Sequence, residues 1–346
     1  MKKKKIFLGA YINHNNAQNI NCLSIALNLN KDKFDVKTLI TSPFDCINLI
    51  KGVRYIRVYN TFFNISNFFA FFIGILWSDV SYIPKHHSTP IWVLKVSKLF
   101  NIKLFTTIEG NMCDQRFKSM IDSFGSKYAM KKYFELIPNI FGITPHIIKS
   151  ATCGVDIIPT PLYLGLDYKK FCNKRVIKSL KNIVFIGSLT KRKRISEILD
   201  LANNFRSLRF HIIGSGSLKM KLESIATSNV IFHGHRNHAE IVKLLNIMDL
   251  NILLSHSEGF PKVILETAAA SIPSLVYDSY GIDEIIKDNK NGFVISTNEQ
   301  AYLKIKNLIQ DPLLLKNVSK GAFLFSQRFD WKLRIKQWED IIENLV

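Results

Sequence analysis

The sequence predicts an α/β protein made of two doubly wound parallel sheets, and three observations carry that expectation. The chain has 346 residues, more than one ordinary core accommodates. Short β-rich runs alternate with helix-length segments from end to end. The alternation is interrupted once, by an irregular Pro- and Gly-containing stretch between Gly154 and Lys181. Several of the runs are continuously apolar, as parallel strands covered by helices on both faces should be.

The elements follow in order. In the first half the expected strands are Lys5–Ile12, Phe34–Thr41, Val53–Tyr59, Val80–Ile83, Lys103–Ile108 and Ile140–Thr144. In the second half they are Asn182–Ile186, Arg209–Ile213, Val230–Phe232, Leu250–Leu254, Ser274–Tyr277 and Phe293–Ile295. The expected division is a first domain over 1–172, a second over 173–330, and a helix over 331–346 that crosses back to the first.

Composition narrows the class. With 47% hydrophobic and 12% aromatic residues, disorder is excluded as a general description. Five scattered cysteines (Cys22, Cys46, Cys113, Cys153, Cys172) suit a reducing compartment and predict neither a disulfide framework nor a zinc knuckle. Lys2 to Lys5 resemble a basic leader, but Asn13, His14, Asn15 and Asn16 interrupt the apolar core a leader needs. The expectation is a cytoplasmic protein, at most peripheral on the inner face of a membrane.

The net charge is +20. Up to Phe171 there are 22 Lys/Arg against 10 Asp/Glu, and beyond it 25 against 17, so both halves are basic. Such a charge suits an anionic partner: nucleotide, lipid headgroups or nucleic acid. No aromatic-basic recognition motif or zinc finger supports nucleic acid.

In doubly wound sheets, ligands bind beyond the carboxyl ends of the strands. In the second half those ends are Gly187, Gly214, Gly234 and Ser255–Gly259. The glycines let backbone approach a ligand or simply relieve tight turns. The segment Ser255-His-Ser-Glu-Gly-Phe-Pro-Lys-Val-Ile-Leu-Glu-Thr267 is the most informative. A strand ends, a polar loop follows, and Pro261 is suited to open a helix whose unpaired amides face an anion. Glu258 precedes that helix, and Glu266 lies about 7–8 Å along it from Pro261. One carboxylate can serve a group at the mouth while the other serves one beside the helix.

The run from Glu258 to Glu266, with Gly259-Phe260 after the first glutamate, resembles the two-glutamate signature of the family 4 glycosyltransferases. The resemblance implies the GT-B fold, two Rossmann-like domains facing across a cleft. It implies that Glu258 contacts a donor sugar and that Glu266 binds ribose hydroxyls, with Gly259, Phe260, Pro261, Lys262 and Val263 around the donor. The run Ile183 to Arg194 is similar to the family's strand, turn and diphosphate-gripping lysine, which falls on Lys193, beside Gly187. Ser188 stands where the family has arginine, and Arg192 or Arg194 is the candidate substitute. The segments around Gly214, around His235 and from Tyr280 to Phe293 follow the family's order. His233, His235 and His238 invite a metal reading, but a metal-free loop is expected.

The first half carries the acceptor side. Glu109 follows a strand where many relatives have a histidine and is either a base or an orienting group. Asn13, Lys85 and His86 face the same side. The Phe-rich stretch Thr61–Trp77, with Phe68 and Phe72, is either a buried helix or an interfacial patch. The resemblance implies a retaining transferase, moving a hexose or N-acetylhexosamine from a nucleoside-diphosphate sugar, UDP favoured, to a saccharide acceptor carried on lipid. The setting implied is bacterial surface polysaccharide: O-antigen, lipopolysaccharide or capsule. Glu258, Lys193 and Glu109 are the catalytic candidates, with no cofactor and no metal. The alternatives are an epimerase or hydrolase of sugar nucleotides on the same fold, or a non-catalytic basic nucleic-acid-binding protein.

Overall fold

A computed structural model describes residues 3–14, 16–42, 49–115 and 119–345. Lys2, Asn15 and Cys46 lie outside them. The chain forms two compact units, Met1–Gly165 with Trp331–Val346, and Leu166–Asp330.

The first unit runs β1 (Lys4–Tyr11), α1 (Ala17–Asn28), β2 (Phe34–Ser42), β3 (Val53–Tyr59), α2 (Phe63–Trp77), β4 (Val80–Tyr82), α3 (Ile91–Leu99), β5 (Lys103–Ile108), α4 (Met120–Phe124), α5 (Lys127–Phe134), β6 (Asn139–Gly142) and α6 (Pro145–Ser150). Its strands pair in parallel in the order β3-β2-β1-β4-β5-β6. The order reverses between β1 and β4, where the carboxyl ends leave a crevice. One turn at this end is tied to β2 by a side chain that mimics backbone. The Asn13 amide donates to the Thr41 carbonyl at 3.0 Å, and its Oδ1 accepts from the Thr41 N–H at 3.0 Å.

The second unit runs α7 (Tyr168–Phe171), β7 (Asn182–Ile186), α8 (Ile195–Asn204), β8 (Arg209–Ile213), α9 (Lys219–Ile225), β9 (Val230–Gly234), α10 (His238–Leu245), β10 (Leu250–Leu253), α11 (Lys262–Ala269), β11 (Ser274–Tyr277), β12 (Gly292–Ile295), α12 (Asn298–Gln310) and α13 (Pro312–Gln327). The order is β12-β11-β10-β7-β8-β9, again all parallel. Phe185, Phe210, Ile252, Leu275 and Phe293 are fully buried between the helical layers.

The last helix, α14 (Trp331–Asn344), packs on the first unit. Trp338 is completely buried, its indole N–H donating to the Tyr163 carbonyl at 3.1 Å and its ring meeting Tyr82 at 5.1 Å. Gly165 permits this seat, because a Cβ there would sit 2.5 Å from the Trp331 ring.

Two sequence expectations are corrected here. The units divide after Gly165, earlier than residue 172, because Phe171 is buried against the His238 ring and the Asn173 N–H donates to the Ala269 carbonyl. Cys113 and Cys153 are joined in a disulfide, with Cα atoms 5.6 Å apart. A sequence separation of 40 hid that proximity from the spacing. Cys22, buried, and Cys172, exposed, are not disulfide-bonded.

The glycines at the strand ends of the second unit hold backbone against backbone. Gly214 has φ +138°, and a Cβ on it would lie 1.9 Å from the Gly187 carbonyl oxygen. Gly216 would meet the Leu189 backbone at 2.5 Å. Gly214→Ala should therefore cost about 1–3 kcal/mol through overpacking and an unfavourable φ. Urea unfolding is the check, and an unchanged midpoint would refute it.

Candidate functional site

The centre of the second unit's site is an ion cluster made by two loops. After β7 a single 3-10 turn, Lys191–Lys193, places Lys193 almost out of solvent. After β10 the loop 255–261 brings Glu258 to it. Lys193 Nζ donates to Glu258 Oε1, and Arg192 NH1 reaches the same oxygen at 3.1 Å. Arg192 also donates to the Ser257 carbonyl, while its own carbonyl accepts from the His256 N–H at 3.0 Å. The two loops are thus stitched by backbone and side chain together.

Burial would lift the Glu258 carboxyl, but Lys193, with Arg192 behind it, holds it below the usual carboxylate value. Burial lowers Lys193, and Glu258 restores part of the loss. Two cations against one carboxylate leave the cluster with net positive charge, which suits an anion at the mouth.

Next to the cluster, α11 begins at Lys262 with Pro261 as its N-cap, one residue later than a Pro-first helix would give. Gly259 and Phe260 lead into it, and the Phe260 ring packs on Phe329 at 5.5 Å. Val263 packs against the core, while Glu266 stands half-buried in the second turn. Burial pushes the Glu266 carboxyl up, and Lys262 and Lys170 draw it part of the way back.

The structure brings together Arg192, Lys193, Glu258 and the head of α11, with Gly187 and Gly214 at neighbouring strand ends. It sends Arg194 elsewhere. That residue adopts φ 51°, pairs with Glu197 at 2.6 Å and lies over the Tyr277 ring, so Arg192 alone is the cation added beside Glu258. Ser188 and His235 are exposed. His233 Nε2 pairs with His211 Nδ1 at 3.0 Å, their rings stacked, and His238 packs on Phe171. Among the described residues, no group of three or more His, Cys, Asp or Glu is placed to hold a metal.

Two hydroxyls escaped the sequence reading. Ser255 Oγ and Tyr280 OH are buried without a hydrogen-bond partner among the described residues. Burial, and then the Glu258 charge, raise the Tyr280 phenol far above its ordinary value. Buried hydroxyls without partners are costly, and a polar ligand would satisfy them. Tyr280, immediately before Gly281, adopts φ 48°, which nothing in its local sequence announces.

The first unit has its own cavity, of about 390 Å³, lined by Lys85, His86, Gly110, Asn111 and Ser119 among others. Glu109 stands beside it in the chain, held by Asn21 and Thr107 among others. Oε2 accepts from Asn21 Nδ2 at 3.0 Å, and Oε1 accepts from the Thr107 hydroxyl at 3.3 Å. Thr107 has given away its hydrogen, so Tyr82 OH donates to it at 2.6 Å. Burial lowers Lys85. His86 is held through one ring nitrogen: Thr106 donates to the Ile83 carbonyl, so His86 Nε2–H donates to Thr106 at 2.7 Å. Burial depresses its pKa to about 3, which keeps the imidazole neutral. Asn13 is likewise spent on Thr41.

Residues 169–324 match the family described as glycosyl transferases group 1. Among characterised and uncharacterised relatives, the chain is 27% identical over 168 residues to an uncharacterized glycosyltransferase of Methanocaldococcus jannaschii, covering 47% of this chain and 48% of that one. It is 26% identical over 178 residues to the amylovoran biosynthesis glycosyltransferase AmsD of Erwinia amylovora, covering 46% and 47%. The chain spans about half the length of these relatives. Among solved structures, Anabaena HepE in complex with UDP superposes with a TM-score of 0.77 at 14% identity, over 99% of this chain and 100% of that one. The chain, with its two Rossmann-like units, thus has the GT-B fold. The Arg192–Lys193–Glu258 cluster and Glu266 all lie within the matched segment.

Proposed function

We propose that the chain is a retaining, metal-independent glycosyltransferase that moves a hexose or N-acetylhexosamine from a nucleoside-diphosphate sugar to a saccharide acceptor. The observation that carries this reading is the Lys193–Glu258–Arg192 cluster beside the head of α11. It supplies cations and helix amides for a leaving diphosphate, with a carboxylate held ionised among them. The difficult step is loss of that diphosphate as positive charge develops on the sugar carbon. Lys193, Arg192 and the first amides of α11 stabilise the departing charge, already oriented before reaction. Glu258 positions the sugar ring, and Glu266 chelates ribose hydroxyls. Ser255 and Tyr280 offer hydroxyls to the donor.

HepE was solved with UDP, which makes a uridine donor the first to test. AmsD is named for amylovoran biosynthesis, which supports a saccharide acceptor; the proposal extends this to an acceptor carried on lipid at the cytoplasmic side in surface-polysaccharide assembly. The experiment is a donor screen: release of nucleoside diphosphate from a panel of sugar nucleotides, with and without saccharide acceptors. Release that requires acceptor supports transfer. Equal turnover without acceptor would replace transfer by hydrolysis or epimerisation.

Metal independence is a separate prediction. The sequence has no Asp-x-Asp pair, and Lys193 and Arg192 beside the head of α11 supply the positive charge that the reading assigns to the diphosphate. Turnover should survive EDTA. Complete loss restored by manganese or magnesium would show that the leaving group is handled differently.

A further inference from the structure

α2 is apolar around nearly its whole circumference, yet only one side of it is buried. Asn67, Ala70, Phe71, Gly74 and Ile75 face the sheet. Gly74 lets the helix sit directly on Phe7, since a Cβ there would lie 2.3 Å from that ring. Phe62, Ile65, Phe69 and Ile73, spaced 3 and 4 apart just ahead of and along α2, fall on one outward stripe, and Phe62 is 69% exposed. Phe68 and Phe72, the aromatics singled out from sequence, are only half-buried and stack on each other at 6.2 Å.

The neighbouring helix repeats the pattern. The strand order sends the crossovers through α2 and α3 to one face of the sheet, where the two helices pack together. α3 turns Val93 and Leu94 inward and Ile91, Trp92 and Leu99 outward, with Phe100 exposed just beyond it. Trp92 is 66% exposed and Leu99 82%. Exposed apolar side chains in this number on adjacent helices mark an interaction surface.

Charge selects the occupant. Between residues 46 and 108 the chain has seven Lys/Arg (Lys51, Arg54, Arg57, Lys85, Lys95, Lys98 and Lys103) and one acid, Asp79. Lys95 and Lys98 rise from α3 itself, and the Lys95 ammonium lies 4.3 Å from the Trp92 ring centre. Protein interfaces are depleted in lysine. Large apolar side chains, an outward tryptophan and lysines that keep their heads in water make up the pattern of a helix lying in a lipid interface. Residues Asn60–Trp77 are long and apolar enough to cross a bilayer, but Phe71, Gly74 and Ile75 are locked on the sheet, so the helix lies on the surface.

We infer that the outward face of α2 and α3 docks on a bilayer bearing anionic headgroups, with Phe62, Ile65, Phe69, Ile73, Trp92 and Leu99 entering the acyl boundary. The inference rests on the first unit alone and stands whether or not the transfer reading holds.

Flotation with phosphatidylcholine vesicles containing roughly 30% phosphatidylglycerol tests it. The whole chain should float with anionic vesicles at low salt and much less with phosphatidylcholine alone. Ile65→Ser/Phe69→Ser/Trp92→Ser and Lys95→Glu/Lys98→Glu should each lower the partition coefficient by about tenfold or more, the second mainly at low salt. Calorimetric UDP affinity and thermal melting should be unchanged in both. Should the triple variant unfold, brominated acyl chains should quench wild-type tryptophan fluorescence, and Trp92→Phe should abolish the quenching. Indifference of the wild type to anionic vesicles overturns the inference. So does a dimer in sedimentation that the triple variant dissociates without any vesicle binding, which would make a second copy the occupant.

Discussion

Lys193→Met should lower the rate of sugar transfer by about 10²–10³-fold, as loss of one preorganised charge beside a leaving group does. The same substitution leaves Glu258 buried among fewer cations. Removing one partner of a buried pair costs about 3–5 kcal/mol, reduced here to the extent that Arg192, 3.1 Å away, still serves the carboxylate. Adding Glu258→Gln to Lys193→Met should restore much of that stability, because an amide carries no charge to strand. Activity should not return with it. The two losses in rate should be far from additive, since the residues act on one leaving group. Denaturant unfolding and steady-state rates on the four proteins of the cycle decide the matter. If the double variant recovers rate along with stability, the pair is structural and the diphosphate is met elsewhere.

The pair also sets a pH response. The Glu258 carboxyl lies below its ordinary 4.5 in the folded protein. Its contribution to stability is therefore fully present above 4.5 and is lost as pH falls through the depressed folded value. Glu258→Gln should flatten that part of the acid unfolding curve.

The twelve strands were legible because each is a short apolar or β-branched run bounded by turn residues, and each expected run overlaps a strand of the structure. The candidate site's loop was legible for a different reason: the stretch through Glu258 to Glu266 combines strand end, loop and helix start without a break. What the sequence concealed were relations between distant segments. Nothing local distinguishes Arg192, turned to Glu258, from Arg194, turned to Glu197 and Tyr277, because a left-handed φ at Arg194 decides it. Cys113 and Cys153 meet through the fold of their loops, and Ser255 and Tyr280 matter only because burial leaves their hydroxyls without partners. For α2, apolar composition on every side could not say which residues face out, and packing of Gly74 on Phe7 settles it.

Glu266 offers a sharper separation of function from stability than the cluster does. Its carboxyl is raised above 4.5, first by burial, so at neutral pH the folded protein holds a charge that the unfolded chain solvates better. The sign of the linkage follows: a raised acid favours folding at low pH, and that advantage is lost as pH climbs through the folded value. Glu266→Ala should accordingly leave stability at neutral pH unchanged or slightly higher. Binding should move the opposite way. Loss of a charge-assisted pair of hydrogen bonds to ribose should weaken UDP by about 1.5–3 kcal/mol, roughly ten- to 150-fold. In the wild type, UDP affinity should decline on acidification beginning above 4.5, as the chelating carboxylate takes up its proton. Glu266→Gln should lose that decline while keeping the side chain's shape. Calorimetry across the acid range, set against thermal melting of the same proteins, reads both halves. A folded Glu266→Ala that binds UDP as the wild type does would remove Glu266 from the ribose. A variant that loses affinity and stability together would make it a structural carboxylate.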